Sequence, residues 1–137
     1  MNEKVQLLTE NIEKAIIGKR EVIIKLIAAL LSGGHVLIED VPGVGKTRLV
    51  SALSASVNGK CNRIQFTPDL MPSDVTGANI VEKDENGKLN TSFRKGPIFA
   101  NLVLADEINR ATPKTQSAML EVMQEHKVTV SNQSYKI

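Results

Sequence analysis

The sequence contains no tryptophan, and aromatic residues make up only 3% of its 137 residues. The hydrophobic core must therefore depend on Ile, Leu, Val, Ala and Met. A single cysteine, Cys61, excludes an internal disulfide and a cluster of thiolate metal ligands. The two histidines, His35 and His126, lie far apart in the sequence, which argues against a zinc site.

Long apolar runs and an excess of one charge are also missing. The longest apolar run, residues 26–31, is far too short to span a bilayer. Residues 1–9 lack the apolar segment of a signal peptide, so we expect a cytoplasmic protein. The formal net charge is only +2, and no aromatic residues alternate with the scattered basic ones. We therefore expect no nucleic-acid partner.

What the sequence does contain is a regular alternation of helical and strand-like segments. Hydrophobic residues account for 42% of the chain, and we expect residues 1–137 to form a single domain with its own core. Apolar spacing, caps and turn residues predict helices at residues 5–18, 21–32, 46–57 and from Thr112 and Pro113 onward. They predict buried strands at residues 35–39, 63–66 and 102–105, and hairpins at 79–93 and 127–137. This order predicts an α/β fold with a parallel sheet flanked by helices.

Residues 40–47 carry the sharpest motif, with the sequence DVPGVGKT. A P-loop requires Gly, four residues and then Gly-Lys-Ser/Thr, and only its first glycine is replaced here, by Asp40. Gly43 and Gly45 allow backbone N–H groups to surround a phosphate, and the following helix presents its positive end. Lys46 would bind the β- and γ-phosphates, and the Thr47 hydroxyl would bind Mg²⁺.

Two adjacent carboxylates follow the apolar strand predicted at residues 102–105. In an open α/β sheet, ligands bind at the carboxyl ends of the strands, where Asp106 and Glu107 would lie. We expect Asp106 to hold Mg²⁺ and Glu107 to act as the general base that activates water. Together with the preceding loop, this pair predicts a P-loop nucleoside triphosphatase.

Beyond these motifs, the sequence resembles the MoxR-type AAA+ ATPases over residues 12–130. The resemblance lies in the phosphate-loop segment 34–47, in RIQFTPDLMPSDVTG at residues 63–77, in GPIFAN at 96–101, in ADEINRA at 105–111 and in KTQSAMLE at 114–121. It implies ATP or ADP and Mg²⁺ as ligands.

The resemblance also implies roles for individual residues. Ile17 and Gly18 are similar to a segment that contacts adenine, although a plain helix end fits them equally well. Gln65 is similar in position to a polar residue that restrains the catalytic glutamate. The full set of candidate site residues is Glu107 and Lys46 as catalytic residues, Gly43, Val44, Gly45, Lys46, Thr47, Arg48, Ile17 and Gly18 for the nucleotide, and Thr47 and Asp106 for the metal.

Assembly and partners follow from the resemblance alone. Members of this family are regarded as ATP-driven chaperones that form hexameric rings, often with a partner that carries a von Willebrand A domain. The hairpin at residues 79–93 resembles an insert that remodels partner proteins, and an ordinary surface hairpin is the alternative.

Part of the family's pattern is missing from residues 1–137. A complete AAA+ core has a central strand that ends in a sensor residue, an arginine finger, a fifth strand and a helical lid, and we expect residues 1–137 to lack these parts. We therefore expect a partial core, whose sheet is either irregular or completed by rearrangement, strand exchange or another chain. We expect this core to bind nucleotide but to hydrolyse it poorly. A non-catalytic nucleotide-binding module is the alternative function. A GTPase ranks last, because no Asn-Lys-x-Asp motif is present.

Overall fold

The computed structural model describes residues 2–14, 20–39 and 45–137. The chain divides into two compact units, Met1–Cys61 and Asn62–Ile137. This division does not test whether residues 1–137 form the single domain that the sequence predicts, and the single domain stays a prediction. Among the described residues, no helix has both the length and the apolar character needed to cross a bilayer.

The first unit is helical in its described parts, with α1 at Glu3–Glu13, α2 at Arg20–Leu31 and α3 at Lys46–Ser56. Helix α1 begins at an N-cap, since the Asn2 side chain accepts a hydrogen bond from the Lys4 amide at 2.9 Å. Ile12, Ile23, Ile27 and Leu53 are at most 1% exposed and form the apolar core of this unit. The three predicted helices are confirmed where the structure describes them.

Polar contacts on the surface of this unit link its helices. The Asn11 amide of α1 donates to the Ser56 hydroxyl of α3 at 2.8 Å. Arg20 at the start of α2 pairs with Glu13 at the end of α1 at 3.2 Å. Exposed pairs of this kind typically contribute less than about 1 kcal/mol each, so the buried isoleucines dominate the packing energy.

The buried strand predicted at residues 35–39 is wrong. These residues have no strand assignment, and Val36 and Leu37 are 48% and 76% exposed. A strand is stabilised by hydrogen bonds to a neighbouring strand, and no strand pairs with this segment in the described part of the chain. The apolar run was identified correctly, but its pairing could not be read from local sequence.

The second unit contains six strands and two α-helices. They are β1 (Cys61–Gln65, which begins at the last residue of the first unit), α4 (Pro72–Thr76), β2 (Gly77–Lys83), β3 (Leu89–Lys95), β4 (Leu102–Asp106), α5 (Pro113–Glu125), β5 (Lys127–Val130) and β6 (Gln133–Lys136). A 3₁₀ turn, Ile108–Arg110, follows β4.

Strands β1 and β4 form the parallel pair of this fold. The Phe66 amide, directly after β1, donates to the Asp106 carbonyl at the end of β4 at 2.9 Å, so the carboxyl ends of both strands lie together. The predicted strands at residues 63–66 and 102–105 are therefore confirmed. Every residue of β4 is half-buried, however, so its predicted full burial is wrong.

The core of the second unit surrounds this strand pair. Phe66 and Val75 are fully buried, and Ile64, Ile98 and Met119 are at most 5% exposed. Met119 comes from α5, whose predicted cap is confirmed: the Thr112 hydroxyl accepts from the Thr115 amide, and Pro113 opens the helix.

Both predicted hairpins are present. In β2–β3, the Asp84 carboxylate accepts hydrogen bonds from the Asn86 and Lys88 amides at 2.9 and 2.8 Å and closes the turn. In β5–β6, Ser131 and Asn132 both have positive φ, 50° and 64°, as a two-residue hairpin turn requires. The Phe93 ring of β3 stacks on the Tyr135 ring of β6 at 3.9 Å, which connects the two hairpins.

Cys61 lies at the start of β1 and is half-buried. Burial raises the pKa of its thiol, and a hydrogen bond with Ser54 opposes that rise. Because the thiolate is the reactive form, a raised pKa makes this cysteine less nucleophilic at neutral pH.

Candidate nucleotide and metal site

The candidate phosphate-binding residues of the first unit begin, in the described part of the chain, at Gly45. This residue is the N-cap of α3 and has φ 84° and ψ 23°, a left-handed conformation that side chains other than glycine rarely adopt. The Gly45 carbonyl accepts from the Leu49 amide at 3.0 Å, so the helix starts immediately after it. Of the predicted nucleotide residues, Gly43, Val44, Ile17 and Gly18 lie outside the described residues.

Three predicted site residues occupy the first turn of α3. Lys46 is half-buried, whereas Thr47 and Arg48 are exposed. The first turn contains no acidic residue. The first amides of an α-helix have no partner within the helix, so the start of α3 carries positive potential that suits an anionic ligand.

The predicted acidic residues of the second unit lie at the carboxyl end of β4. Asp106 is the last residue of that strand, and its carbonyl is fixed by the hydrogen bond from Phe66. Its side chain is 24% exposed. Asp106 is thus held by the strand pair while its carboxylate remains accessible.

Arg63 forms a contact with Asp106 that motif spacing does not reveal. Its guanidinium donates to the Asp106 carboxylate at 2.7 Å and to the Gln65 side-chain oxygen at 2.9 Å. Arg63 and Gln65 are two residues apart on β1 and so lie on the same face of that strand. Gln65 therefore contacts Arg63, and the part of the chain that the structure describes shows no hydrogen bond between Gln65 and Glu107. The alternation of polar residues along β1 is the signal that could have revealed this link.

Glu107 is exposed and has a left-handed backbone, with φ 57° and ψ 39°. The chain turns sharply here, from β4 into the 3₁₀ turn, where the Arg110 amide donates to the Glu107 carbonyl at 3.0 Å. A non-glycine residue in this region costs of the order of 1–2 kcal/mol. Strain of this kind at a predicted catalytic residue is typical of functional sites.

This strain leads to a testable expectation. We expect Glu107→Gly to raise the free energy of unfolding by roughly 0.5–1 kcal/mol, because glycine adopts this φ freely and its own entropy cost offsets part of the gain. Asn109→Gly, two residues along and at ordinary φ, should instead lower stability. Urea unfolding followed by circular dichroism measures both, and destabilisation by Glu107→Gly would contradict the argument.

The donor chemistry fits a magnesium ion. Mg²⁺ prefers oxygen ligands and is held in nucleotide sites by one or two protein groups together with phosphates and water. Asp106 supplies an accessible carboxylate and Thr47 supplies an exposed hydroxyl. No cluster of three or more His, Cys, Asp or Glu side chains suited to a metal exists within residues 2–14, 20–39 and 45–137.

Comparison with known proteins places the chain in a family. Residues 35–137 match the model of the ATPase family associated with various cellular activities (AAA). The chain is 54% identical over 129 residues to the protein YeaC of Bacillus subtilis, covering 93% of this chain and 39% of that protein. It is 44% identical over 124 residues to Chaperone MoxR1 of Mycobacterium tuberculosis, covering 90% of this chain and 32% of that one.

A solved structure supports the same fold. The crystal structure of a candidate ATPase from Cytophaga hutchinsonii superposes with a TM-score of 0.83 at 41% sequence identity, covering 98% of this chain and 40% of that one. The chain therefore spans about a third to two fifths of the length of the relatives it matches. The expected α/β fold with a parallel sheet is confirmed by this likeness. The chain belongs to the AAA family of ATPases, and within it to the MoxR type.

Proposed function

We propose that this chain binds ATP and ADP together with Mg²⁺ and contributes the nucleotide-binding core of an ATPase. The observation that carries the proposal is the left-handed Gly45 at the start of α3, followed directly by Lys46 and Thr47. A glycine in this conformation lets the backbone approach a ligand closely, and the helix start supplies the positive potential that phosphates require.

Each site residue takes the role that its chemistry suits. The backbone N–H groups of Gly43, Val44 and Gly45 surround the phosphates, and Lys46 neutralises their charge. Arg48 adds positive charge in the same turn, and Ile17 and Gly18 contact the adenine. Thr47 and Asp106 hold Mg²⁺, which supplies charge stabilisation to the phosphates when it is bound. Glu107 orients the attacking water and accepts its proton.

In the complete protein, we propose that hydrolysis drives the remodelling of a partner protein. A relative of this chain carries the name Chaperone MoxR1, which supports this direction. The β2–β3 hairpin is a candidate contact, because Val81 and Leu89 are 63% and 62% exposed on it. Assembly into a hexameric ring and a partner with a von Willebrand A domain belong to the same proposal.

Replacement of Lys46 by alanine tests nucleotide binding. A ligand at 100 times its Kd stabilises a folded protein by about 2.7 kcal/mol, and at a Kd 100-fold weaker the gain falls to about 0.4 kcal/mol. We therefore expect MgADP to raise the thermal unfolding temperature of the wild-type chain and to leave Lys46→Ala nearly unchanged. Differential scanning fluorimetry with and without MgADP measures both, and calorimetry gives the Kd values.

Lys25→Ala is the matched control. Lys25 lies on α2 in the same unit, is exposed and loses the same charge on substitution. This variant should retain the full MgADP effect. Undiminished protection in Lys46→Ala would remove Lys46 from its role, and no nucleotide binding by the folded wild-type chain would overturn the proposed function.

A further inference from the structure

The strand pair β1–β4 places a cation directly on the carboxylate that is proposed to hold Mg²⁺. The Arg63 guanidinium lies 2.7 Å from Asp106 Oδ2, the shortest ion-pair distance among the described residues. The two residues are 43 positions apart in sequence, so the fold rather than local geometry brings them together. The inference that follows rests on the proposed function of Asp106.

Two further contacts keep this pair in register. The backbone hydrogen bond from Phe66 to Asp106 fixes the strand ends against one another, and the Gln65 side-chain oxygen accepts a second hydrogen bond from the Arg63 guanidinium. Arg63 is thus held between an amide oxygen and a carboxylate. These two hydrogen bonds restrict the planar guanidinium, so it has a defined position beside Asp106.

A divalent ion and this arginine compete for the same group. Each would bind the Asp106 carboxylate, and they repel one another when both are near it. A metal that displaces Arg63 must first break this ion pair, and the attraction of two unit charges at this separation corresponds to about a tenfold change in an equilibrium constant even at the dielectric constant of water. The Arg63 side chain is 50% exposed, so it has space to move away from Asp106 into solvent.

We propose that Arg63 is a positioning residue that occupies Asp106 in the metal-free protein and is displaced when Mg²⁺ binds. In the absence of metal, the guanidinium neutralises Asp106 and keeps its side chain in place. When the metal binds, the Arg63 guanidinium leaves Asp106 and is solvated by water. Its hydrogen bond with Gln65 changes at the same time. The affinity of the site for metal is thereby set lower than Asp106 alone would give.

Metal titration of charge variants tests this competition. Mn²⁺, a divalent ion that also prefers oxygen ligands, is titrated into the chain saturated with ADP, and free Mn²⁺ is followed by electron paramagnetic resonance. We expect Arg63→Gln to bind Mn²⁺ about tenfold more tightly than wild type. Arg63→Lys, which keeps the charge, should bind close to wild type.

Arg94→Gln is the matched control, because Arg94 is exposed on β3 and loses the same charge. Its Mn²⁺ affinity should equal that of wild type. An equal gain in Arg94→Gln would show a general charge effect and overturn the proposal, as would an unchanged affinity in Arg63→Gln. No Mn²⁺ binding by wild type with ADP bound would instead contradict the proposed function itself.

A second measurement follows Arg63 in the wild-type chain, so it does not require an arginine variant to fold. Nuclear magnetic resonance of ¹⁵N-labelled arginine side chains follows the Arg63 Nε–H signal in the wild-type chain. With ADP present, Mg²⁺ should shift this signal towards its position in Asp106→Asn, and Mg²⁺ should leave the signal of that variant unchanged. A signal unaffected by Mg²⁺ in a wild-type chain that binds the metal would overturn the displacement.

Discussion

In the complete protein, Glu107→Gln is expected to reduce phosphate release from ATP by about 10²–10⁴-fold while leaving ADP affinity within about twofold of wild type. Glutamine preserves the size of the side chain and its hydrogen-bonding oxygen, but it cannot accept the proton of the attacking water. The exposed position of Glu107 after β4 also means that the substitution removes no buried contact. A coupled phosphate-release assay and calorimetry with ADP measure the two quantities.

The matched control is Glu85→Gln, at an exposed position in the β2–β3 turn, which should leave phosphate release unchanged. Equal rates near background in wild type and Glu107→Gln, with ADP binding intact, would favour a nucleotide-binding module without turnover. A reduced rate together with lost ADP binding would instead assign Glu107 to the binding of nucleotide. The experiment thus separates the two functions that the sequence left open.

Local sequence predicted the helices and turns well, because their signals are local. Helix α2 ends before Gly33, whose φ of 68° a glycine adopts at no steric cost. Helix α5 begins after Thr112 with Pro113 in its first turn, as the cap predicted. The Ser131 and Asn132 turn closes β5–β6 at the expected place. Each of these features depends on residues within a few positions of one another.

Features that depend on distant pairing could not be predicted in the same way. Residues 35–39 have the apolar composition of a strand, yet Leu37 is 76% exposed and the segment lacks a strand assignment. Composition indicates only that a segment suits a sheet, while a strand requires a partner elsewhere in the chain. The same limit applies to β4, whose half-burial depends on what covers each of its faces.

The same distinction between local and distant signals applies to the candidate site. Motif spacing identified Lys46, Thr47, Asp106 and Glu107, because phosphate and metal chemistry requires these residue types in order. It did not reveal the contact between Arg63 and Asp106, which requires β1 and β4 to be neighbours. Nor did it reveal the left-handed φ of Glu107, which arises from the sharp turn after β4. The residues that carry the proposed chemistry were therefore predictable from the sequence. The contacts and backbone conformation that hold them in place were not.

Those restraints connect the site to the core through Phe66. Its ring is fully buried with Ile64, Val75 and Met119, and its amide holds the Asp106 carbonyl. The hydrogen bond between the Phe66 amide and the Asp106 carbonyl depends on the packing around it, because local opening of the core would separate β1 from β4. Stability of the core and placement of the acidic group therefore depend on one residue.

Phe66→Ala is expected to lower the free energy of unfolding by about 3–5 kcal/mol, since it removes a fully buried ring and leaves a cavity. This is a large fraction of the roughly 5–15 kcal/mol typical of a folded domain. Urea unfolding by circular dichroism measures the loss, and Leu89→Ala, at a 62% exposed position, should stay within about 0.5 kcal/mol of wild type. Hydrogen exchange at the residue 66 amide should accelerate in Phe66→Ala and not in Leu89→Ala, because core packing protects the bond to Asp106. Slow exchange in a strongly destabilised Phe66→Ala would show that the strand pair is held independently of the core.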